Sequence, residues 1–203
     1  MRTPYEQIFE RNRRWVAETV ARDPDYFTRL ADRQQQPHFL FIGCSDSRVP
    51  ANVITGTRAG EMFVHRNIAN LVVPTDLNVL SVVQYAVEVL GVKDIIVCGH
   101  KGCGGVRAAM GPHQTGLVDH WLDHIRAVIR LHQAELDAIA DPEARYERLV
   151  ELNAVEQARN LARLPLVHAA RERTPELKVH ALVYDIREGL LRELATEVEP
   201  VSA

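Results

Sequence analysis

What the chain lacks bounds it first. No apolar run approaches the ~20 residues that a helix needs to cross a bilayer, and no charged-then-apolar leader pattern opens the sequence. The net charge of −3 provides no basic field to recruit nucleic acid or an acidic membrane surface. Cysteine is scarce and odd in number, with three in 203 residues. A disulfide framework is therefore not expected, and a reducing, cytoplasmic setting is. Internal repeats, low-complexity tracts and linkers are absent as well. At 46% hydrophobic and 25% charged residues, the composition fits one ordinary globular domain with a core of its own.

Against this plain background two short stretches stand out. Phe39-Leu40-Phe41-Ile42 is a continuous apolar run stopped by Gly43, as in a strand buried on both faces. Directly after it come Cys44, Asp46 and Arg48, spaced one residue apart. Ile95-Ile96-Val97-Cys98 is a second run of this kind, stopped by Gly99 and followed by His100 and Cys103. In open α/β sheets ligands bind at the carboxyl ends of strands. If these two strands are neighbours, Cys44, His100 and Cys103 converge. Two thiolates and an imidazole make a three-ligand zinc site with one position left open, the pattern of a catalytic rather than a structural zinc.

Asp46 and Arg48 read in two ways. On a bare surface they are an ion pair of little consequence. Beside a zinc, the carboxylate can accept the hydrogen of the nucleophile and aim its lone pair, while the guanidinium holds the carboxylate ionised and off the metal. The same Asp46 could instead occupy the fourth position and block water. Gly99, Gly102, Gly104 and Gly105 lack the spacing of a phosphate loop, since no G-K-[S/T] or G-x-G-x-x-G is present. Cys98 reads as core packing, and His65, His120 and His124 read as structural or solvated.

The elements around these stretches follow from periodicity. Helical spacing is expected over 4–22, with Pro4 at a first position, and again over 25–35. Met62-Phe63-Val64 reads as a strand. A helix capped by Thr75 or Asp76 runs to Leu90 and stops at Gly91. It is apolar almost all round, hence buried in a core or against another subunit. A short helix opens at Gly104-Gly105, a long one spans 117–139, another starts at Asp141-Pro142 and runs to 163, and 165–173 is shorter. Residues 178–185 alternate as a strand, and 190–195 return as an edge strand. The β-α-β order predicts an α/β fold with a parallel-centred sheet of four to five strands flanked by helices.

Cys44-Ser-Asp46-Ser-Arg48 together with His100-Lys-Gly-Cys103-Gly-Gly resembles the signature of the β-class carbonic anhydrases. Phe63-Val-His-Arg66-Asn67-Ile68-Ala69-Asn70, the 76–89 segment and 179–191 are similar to that family too, so the resemblance covers nearly the whole chain. It implies a cytoplasmic zinc lyase that hydrates CO2 reversibly to bicarbonate and a proton through a zinc-bound hydroxide. Asp46 and Arg48 would be its catalytic pair, and Cys44, His100 and Cys103 its metal ligands, with Asp46 as a fourth ligand in a closed state. Gln35, Phe63, Ile68, Tyr85 and the Gly104 N–H would line the substrate pocket, although Phe63, Ile68 and Tyr85 also read as ordinary core. It further implies a homodimer or homotetramer, a helical arm over 1–36, a zinc-binding core over 37–195 and a loose tail over 196–203. In the family the first helix reaches across a dimer partner; the residues alone allow it equally to fold back on its own domain. Two rival functions remain open: carbonyl sulfide or carbon disulfide hydrolysis on the same scaffold, and a silent zinc-stabilised binding protein.

One subgroup of the family binds bicarbonate in a non-catalytic pocket through a tryptophan, an arginine and a tyrosine. Arg66, Tyr184 and Gly43 match it, but the tryptophan position is Phe41. Phenylalanine keeps the aromatic bulk and has no N–H to donate. A hydrogen bond to a charged group is worth about 1.5–3 kcal/mol, roughly tenfold or more in affinity. Bicarbonate should therefore inhibit the wild type weakly and Phe41→Trp more strongly, read as activity from about pH 6.5 to 9 with and without added bicarbonate. Strong inhibition of the wild type, unchanged in Phe41→Trp, would contradict this reading of the pocket.

Overall fold

The computed structural model describes residues 2–113 and 115–195, and the tail expected to be loose over 196–203 lies outside them. The chain divides into two compact units, Met1–Gln36 and Pro37–Ala203. In the first, α1 (Pro4–Arg22) starts in a reciprocal cap: Thr3 accepts from the Glu6 amide, and the Glu6 carboxylate accepts from the Thr3 amide at 2.7 Å. Helix α2 covers only Tyr26–Ala31, shorter than the 25–35 expected from periodicity. Gln34, Gln35 and Gln36 are exposed and offer no apolar face, and Pro37 disfavours a helical conformation in the residue before it. Trp15 packs edge-on against Phe27, with ring centroids 5.4 Å apart.

The second unit is a five-stranded sheet. In chain order it comprises β1 (Phe39–Cys44), α3 (Ala51–Thr55), β2 (Met62–Asn67), α4 (Leu77–Gln84), β3 (Asp94–His100), α5 (Gly104–Ala109) and α6 (Leu117–Leu131). There follow α7 (Gln133–Asp137), α8 (Pro142–Ala162), α9 (Pro165–Arg173), β4 (Lys178–Asp185) and β5 (Leu190–Leu194). The strand order is β2-β1-β3-β4-β5, with every pair parallel except β4 and β5. The chain thus leaves β1 toward one side of the sheet and later returns to its other side as β3. That reversal opens a crevice at the carboxyl ends of β1 and β3. Leu40, Ile42, Ile95 and Val97 are wholly buried in the two strands that flank it.

Two helices differ from what periodicity predicts. The stretch 117–139 is broken at His132 (φ −110°, ψ 24°), whose Nε2 lies 3.0 Å from the carboxylate of Glu156 on α8. A tertiary contact, invisible in local spacing, separates α6 from α7. The apolar helix after Asp76 begins as expected, with Asp76 accepting from the Asn78 amide at 2.9 Å, but from Tyr85 to Val89 it widens into a π-helix. Such widened turns recur at functional sites. Among the described residues this helix is covered unevenly: Val79, Val83 and Ala86 are buried, whereas Leu77 is 81% and Val89 63% exposed. Among the described residues, no helix is long and apolar enough to cross a membrane.

Candidate metal centre

Because β1 and β3 are adjacent and parallel, with Gly43 opposite Cys98, their ends deliver side chains to one edge. Cys44 closes β1 and His100 closes β3; Cys103 follows one turn later, at the start of α5. The turn depends on Gly102, whose φ of +75° is a conformation that L side chains rarely adopt. The result is a buried cluster in which the candidate ligand atoms of Cys44, His100 and Cys103 all lie within 4.8 Å of one another. The two sulfurs are 3.9 Å apart. A tetrahedral zinc with Zn–S bonds of about 2.3 Å holds two sulfurs about 3.8 Å apart, so the spacing suits the ion.

The histidine fits as well. His100 Nδ1 lies 3.0 Å from the Lys101 carbonyl, which can only accept, so Nδ1 carries the proton. In the neutral ring Nε2 is then the lone pair, buried and without a hydrogen-bond partner among the described residues. An orphaned buried polar atom costs about 1–3 kcal/mol, which a cation at this point would relieve.

Without an ion, the two thiols titrate as a pair. Hydrogen bonding from Cys103 is the largest influence on Cys44 and lowers it to about 4 against the opposing effect of burial; the same bond pushes Cys103 upward. Backbone N–H groups add to the thiolate character. The Ala69 amide points at Cys44 Sγ from 3.4 Å, and Gly105 and Val106 act in the same sense on Cys103. A divalent cation would take the place of the shared proton.

Asp46 stands beside this cluster and outside it. Its Oδ1 accepts from the Arg48 amide at 3.0 Å and from Arg48 Nε at 2.9 Å, and its Oδ2 accepts from Arg48 Nη2 at 2.6 Å. The Arg48 guanidinium holds the carboxyl well below the usual carboxylate range. Oδ2 lies 3.9 Å from His100 Nε2. Arg48 also donates to the Gly102 carbonyl at 3.1 Å, tying the β1 loop to the β3 loop.

The other residues singled out by sequence fall into three places. Phe63 on β2 and Tyr85 at the start of the π-turn pair their rings, with centroids 5.8 Å apart and planes tilted by 31°. Ile68 is 39% exposed, and its Cγ2 would lie 2.9 Å from a Cβ added at Gly105, so it borders the turn that carries Gly104. Gln35 is an exposed residue of the first unit. On the sheet, Phe41 is 2% exposed in a cluster with Ala51 and Cys98, against which Tyr184 packs; its ring fills the space where a Gly43 side chain would go. Arg66, opposite Gly43 in register, donates to the backbone carbonyls of Cys44 at 2.8 Å and Asp46 at 2.5 Å. Cys98 lies apart from the metal cluster, and burial pushes its thiol up to about 12.

Sequence reasoning missed the braces. Ala69 and Asn70 both have left-handed backbones (φ 63° and 50°). Asn153 on α8 donates to the Ala69 carbonyl at 3.0 Å, and Trp121 on α6 donates to the Ile68 carbonyl at 2.9 Å. These partners are 84 and 53 residues apart in the chain, so no local pattern announces them. The Asn70 side was the one available signal, because asparagine tolerates this conformation better than most residues.

A family model described as carbonic anhydrase matches residues 39–191. The chain is 50% identical over 190 residues to a carbonic anhydrase of Emericella nidulans, covering 94% of this chain and 83% of that one. Among solved structures it is similar to a tetrameric β-carbonic anhydrase of Sordaria macrospora, with a TM-score of 0.89 and 39% identity over 94% of this chain and 96% of that one. It is similar also to a Coccomyxa β-carbonic anhydrase in complex with acetazolamide, with a TM-score of 0.90 and 37% identity over 95% and 87% of the two chains.

If the three converging donors hold the ion, Cys44→Ser, His100→Ala and Cys103→Ser should each lower bound zinc to less than about a tenth of wild type, since two ligands are too few for a stable site. Metal analysis of the purified proteins by mass spectrometry is the check. Wild-type zinc content in any one of them would remove that residue from the ligand set.

Proposed function

This chain belongs to the β-class carbonic anhydrases, and on that premise we propose that Cys44, His100 and Cys103 hold its zinc while Asp46 and Arg48 orient the nucleophile that attacks CO2. The reaction is the reversible hydration of CO2 to bicarbonate and a proton. The observation that carries the assignment is His100: its Nδ1 is committed to a carbonyl and its buried Nε2 faces two thiols with no partner. Zinc, when bound, supplies a Lewis acid that brings the pKa of a coordinated water to about 7.

The chain's own residues do the rest. Asp46 is held ionised by Arg48, so near neutral pH it serves as a hydrogen-bond acceptor; a carboxylate this weakly basic is a poor general base. Oδ2 accepts only one bond from Arg48, which leaves a lone pair to take the hydrogen of the attacking water and turn the oxygen's own lone pair toward the substrate. Were Asp46 to turn its Oδ2 toward a bound ion, that oxygen would leave its bond from Arg48 Nη2. Arg48 is thereby the restraint that separates the open arrangement from the closed one. The family resemblance assigns Phe63, Tyr85 and Ile68 to the substrate pocket, and apolar groups suit CO2 because the molecule has no net dipole for polar groups to grip. The proton leaves to solvent or buffer.

A homo-oligomer is part of this reading, as a dimer or a dimer of dimers. It is supported by the exposed apolar side of the helix that carries Leu77 and Val89 and by the tetrameric state named for the Sordaria relatives. An exposed Leu at 81% and Val at 63% on one helix are better explained by a second copy of the chain than by water. Sedimentation velocity should show at least a dimer at micromolar concentration, and the double variant Leu77→Asp/Val89→Asp should dissociate; a wild-type monomer would rule the oligomer out.

Asp46→Asn and Arg48→Ala should retain zinc and lose most CO2 hydration, on the order of 10²-fold or more for a group that positions the nucleophile. The measurement is stopped-flow hydration alongside metal content, with carbonyl sulfide and carbon disulfide assayed in parallel. Near-wild-type rates in both variants would reduce the pair to a surface ion pair. Turnover of the sulfur gases without CO2 hydration would replace the substrate.

A further inference from the structure

Helix α8 runs past the metal centre and presents a buried hydroxyl to it from behind. Tyr146 is 1% exposed, and its Oη donates to the Cys103 carbonyl at 2.9 Å. The ring cannot drift. The Arg107 guanidinium carbon sits 3.7 Å from its centroid, and Arg107 is itself held by two bonds to Glu143, at 2.8 and 2.9 Å. The Cys103 carbonyl accepts one other bond, from the Arg107 amide at 3.1 Å. One turn residue before Cys103, Gly102 takes a left-handed backbone, and Gly104 just after it has open space where a side chain would be. The Cys103–Gly104 peptide is gripped at its carbonyl edge, by Tyr146 Oη and the Arg107 amide.

We propose that Tyr146 is a positioning residue for the metal site, acting through the peptide between Cys103 and Gly104. This peptide is planar and trans, so its C=O and N–H lie on opposite edges. A hydroxyl that grips the carbonyl edge sets the direction in which Cys103 leaves the backbone and presents its sulfur. It also aims the Gly104 N–H on the far edge, toward the side where the family resemblance places substrate. The proposal rests on the reading of Cys44, His100 and Cys103 as the zinc ligands. It adds a group that touches neither metal nor substrate.

Removing an outer-shell partner of a metal ligand typically lowers affinity or activity by about 10- to 100-fold. Tyr146→Phe removes the hydroxyl and keeps the ring, its volume and the Arg107 stack. The holoenzyme variant should lose zinc to a chromophoric chelator at a free-zinc level about 10-fold higher than wild type, and its cobalt(II)-substituted form should show shifted thiolate-to-metal absorption bands. A purely structural phenol would alter thermal stability alone. Leu149→Ala is the control for that case, since Leu149 is wholly buried on the same helix and lines a cavity with Ala109, Met110 and Leu136, at the other end of α5; it should lower the melting temperature and leave zinc affinity and the cobalt spectrum within about twofold of wild type. Glu143→Gln, which loosens the Arg107 clamp from the surface, should shift the cobalt bands in the same direction by less. Wild-type affinity and spectrum in Tyr146→Phe, or equal weakening in Leu149→Ala, would overturn the proposal. A wild type that binds no zinc would fail at the ligand assignment itself, an outcome these variants leave distinct.

Discussion

Two parallel strands ending side by side are the constraint on which the rest of this protein depends. Strand β1 carries Cys44 and β3 carries His100, and their register sets the two ends at one edge of the sheet. Both faces of these strands are packed, with Leu40, Ile42, Ile95 and Val97 wholly buried in one cluster and Phe41 and Cys98 in another. A shift of either strand by one residue would exchange two differently packed faces, so packing fixes where the donors emerge. Hydrophobic packing, which is non-directional, is converted into directional ligand geometry by the pleat. What results is two thiols 3.9 Å apart and an imidazole nitrogen with no hydrogen-bond partner, a group of atoms more comfortable around a cation than alone.

Electrostatic energy of folding is a small part of what the polar residues contribute here. The Arg48 side chain is 56% exposed, and water screens an ion pair at such a surface so that it adds little to stability. Its importance lies in direction. Three bonds to Asp46 and one to the Gly102 carbonyl make Arg48 a crossbar between the two loops that carry the candidate ligands. Arg66 does the same from β2, through the carbonyls of Cys44 and Asp46. One arginine within the loop and one on the neighbouring strand β2 thus hold it. The loop can be polar because its backbone acceptors at Cys44 and Asp46 already have partners.

Helix α8 supplies the other half of the frame. Along its buried side it sends Tyr146 to the Cys103 carbonyl, Asn153 to the Ala69 carbonyl and Gln157 to the Val72 amide. Asn153 and Gln157 are themselves joined at 3.2 Å, so these two form one network. It holds Ala69 and Asn70 in left-handed conformations that short-range forces disfavour, and the Ala69 amide is thereby brought to the Cys44 sulfur.

The sequence by itself determined the parts of this protein that local chemistry governs. Buried runs cut by glycine marked β1 and β3, the Asp-Pro step marked the start of α8, and the Cys, His and Cys residues with their neighbouring Asp and Arg marked the chemistry, because ligand type and strand-end position are readable in one dimension. What only the tertiary structure decided is everything that needs a partner far along the chain. His132 breaks a regular helical pattern because Glu156 lies 24 residues on, and Tyr146 reaches a carbonyl 43 residues back. The tautomer of His100 likewise follows from the placement of one carbonyl and is beyond the reach of periodicity. Periodicity reports which face of an element seeks burial; it carries no record of which distant hydrogen-bond partner that face will meet.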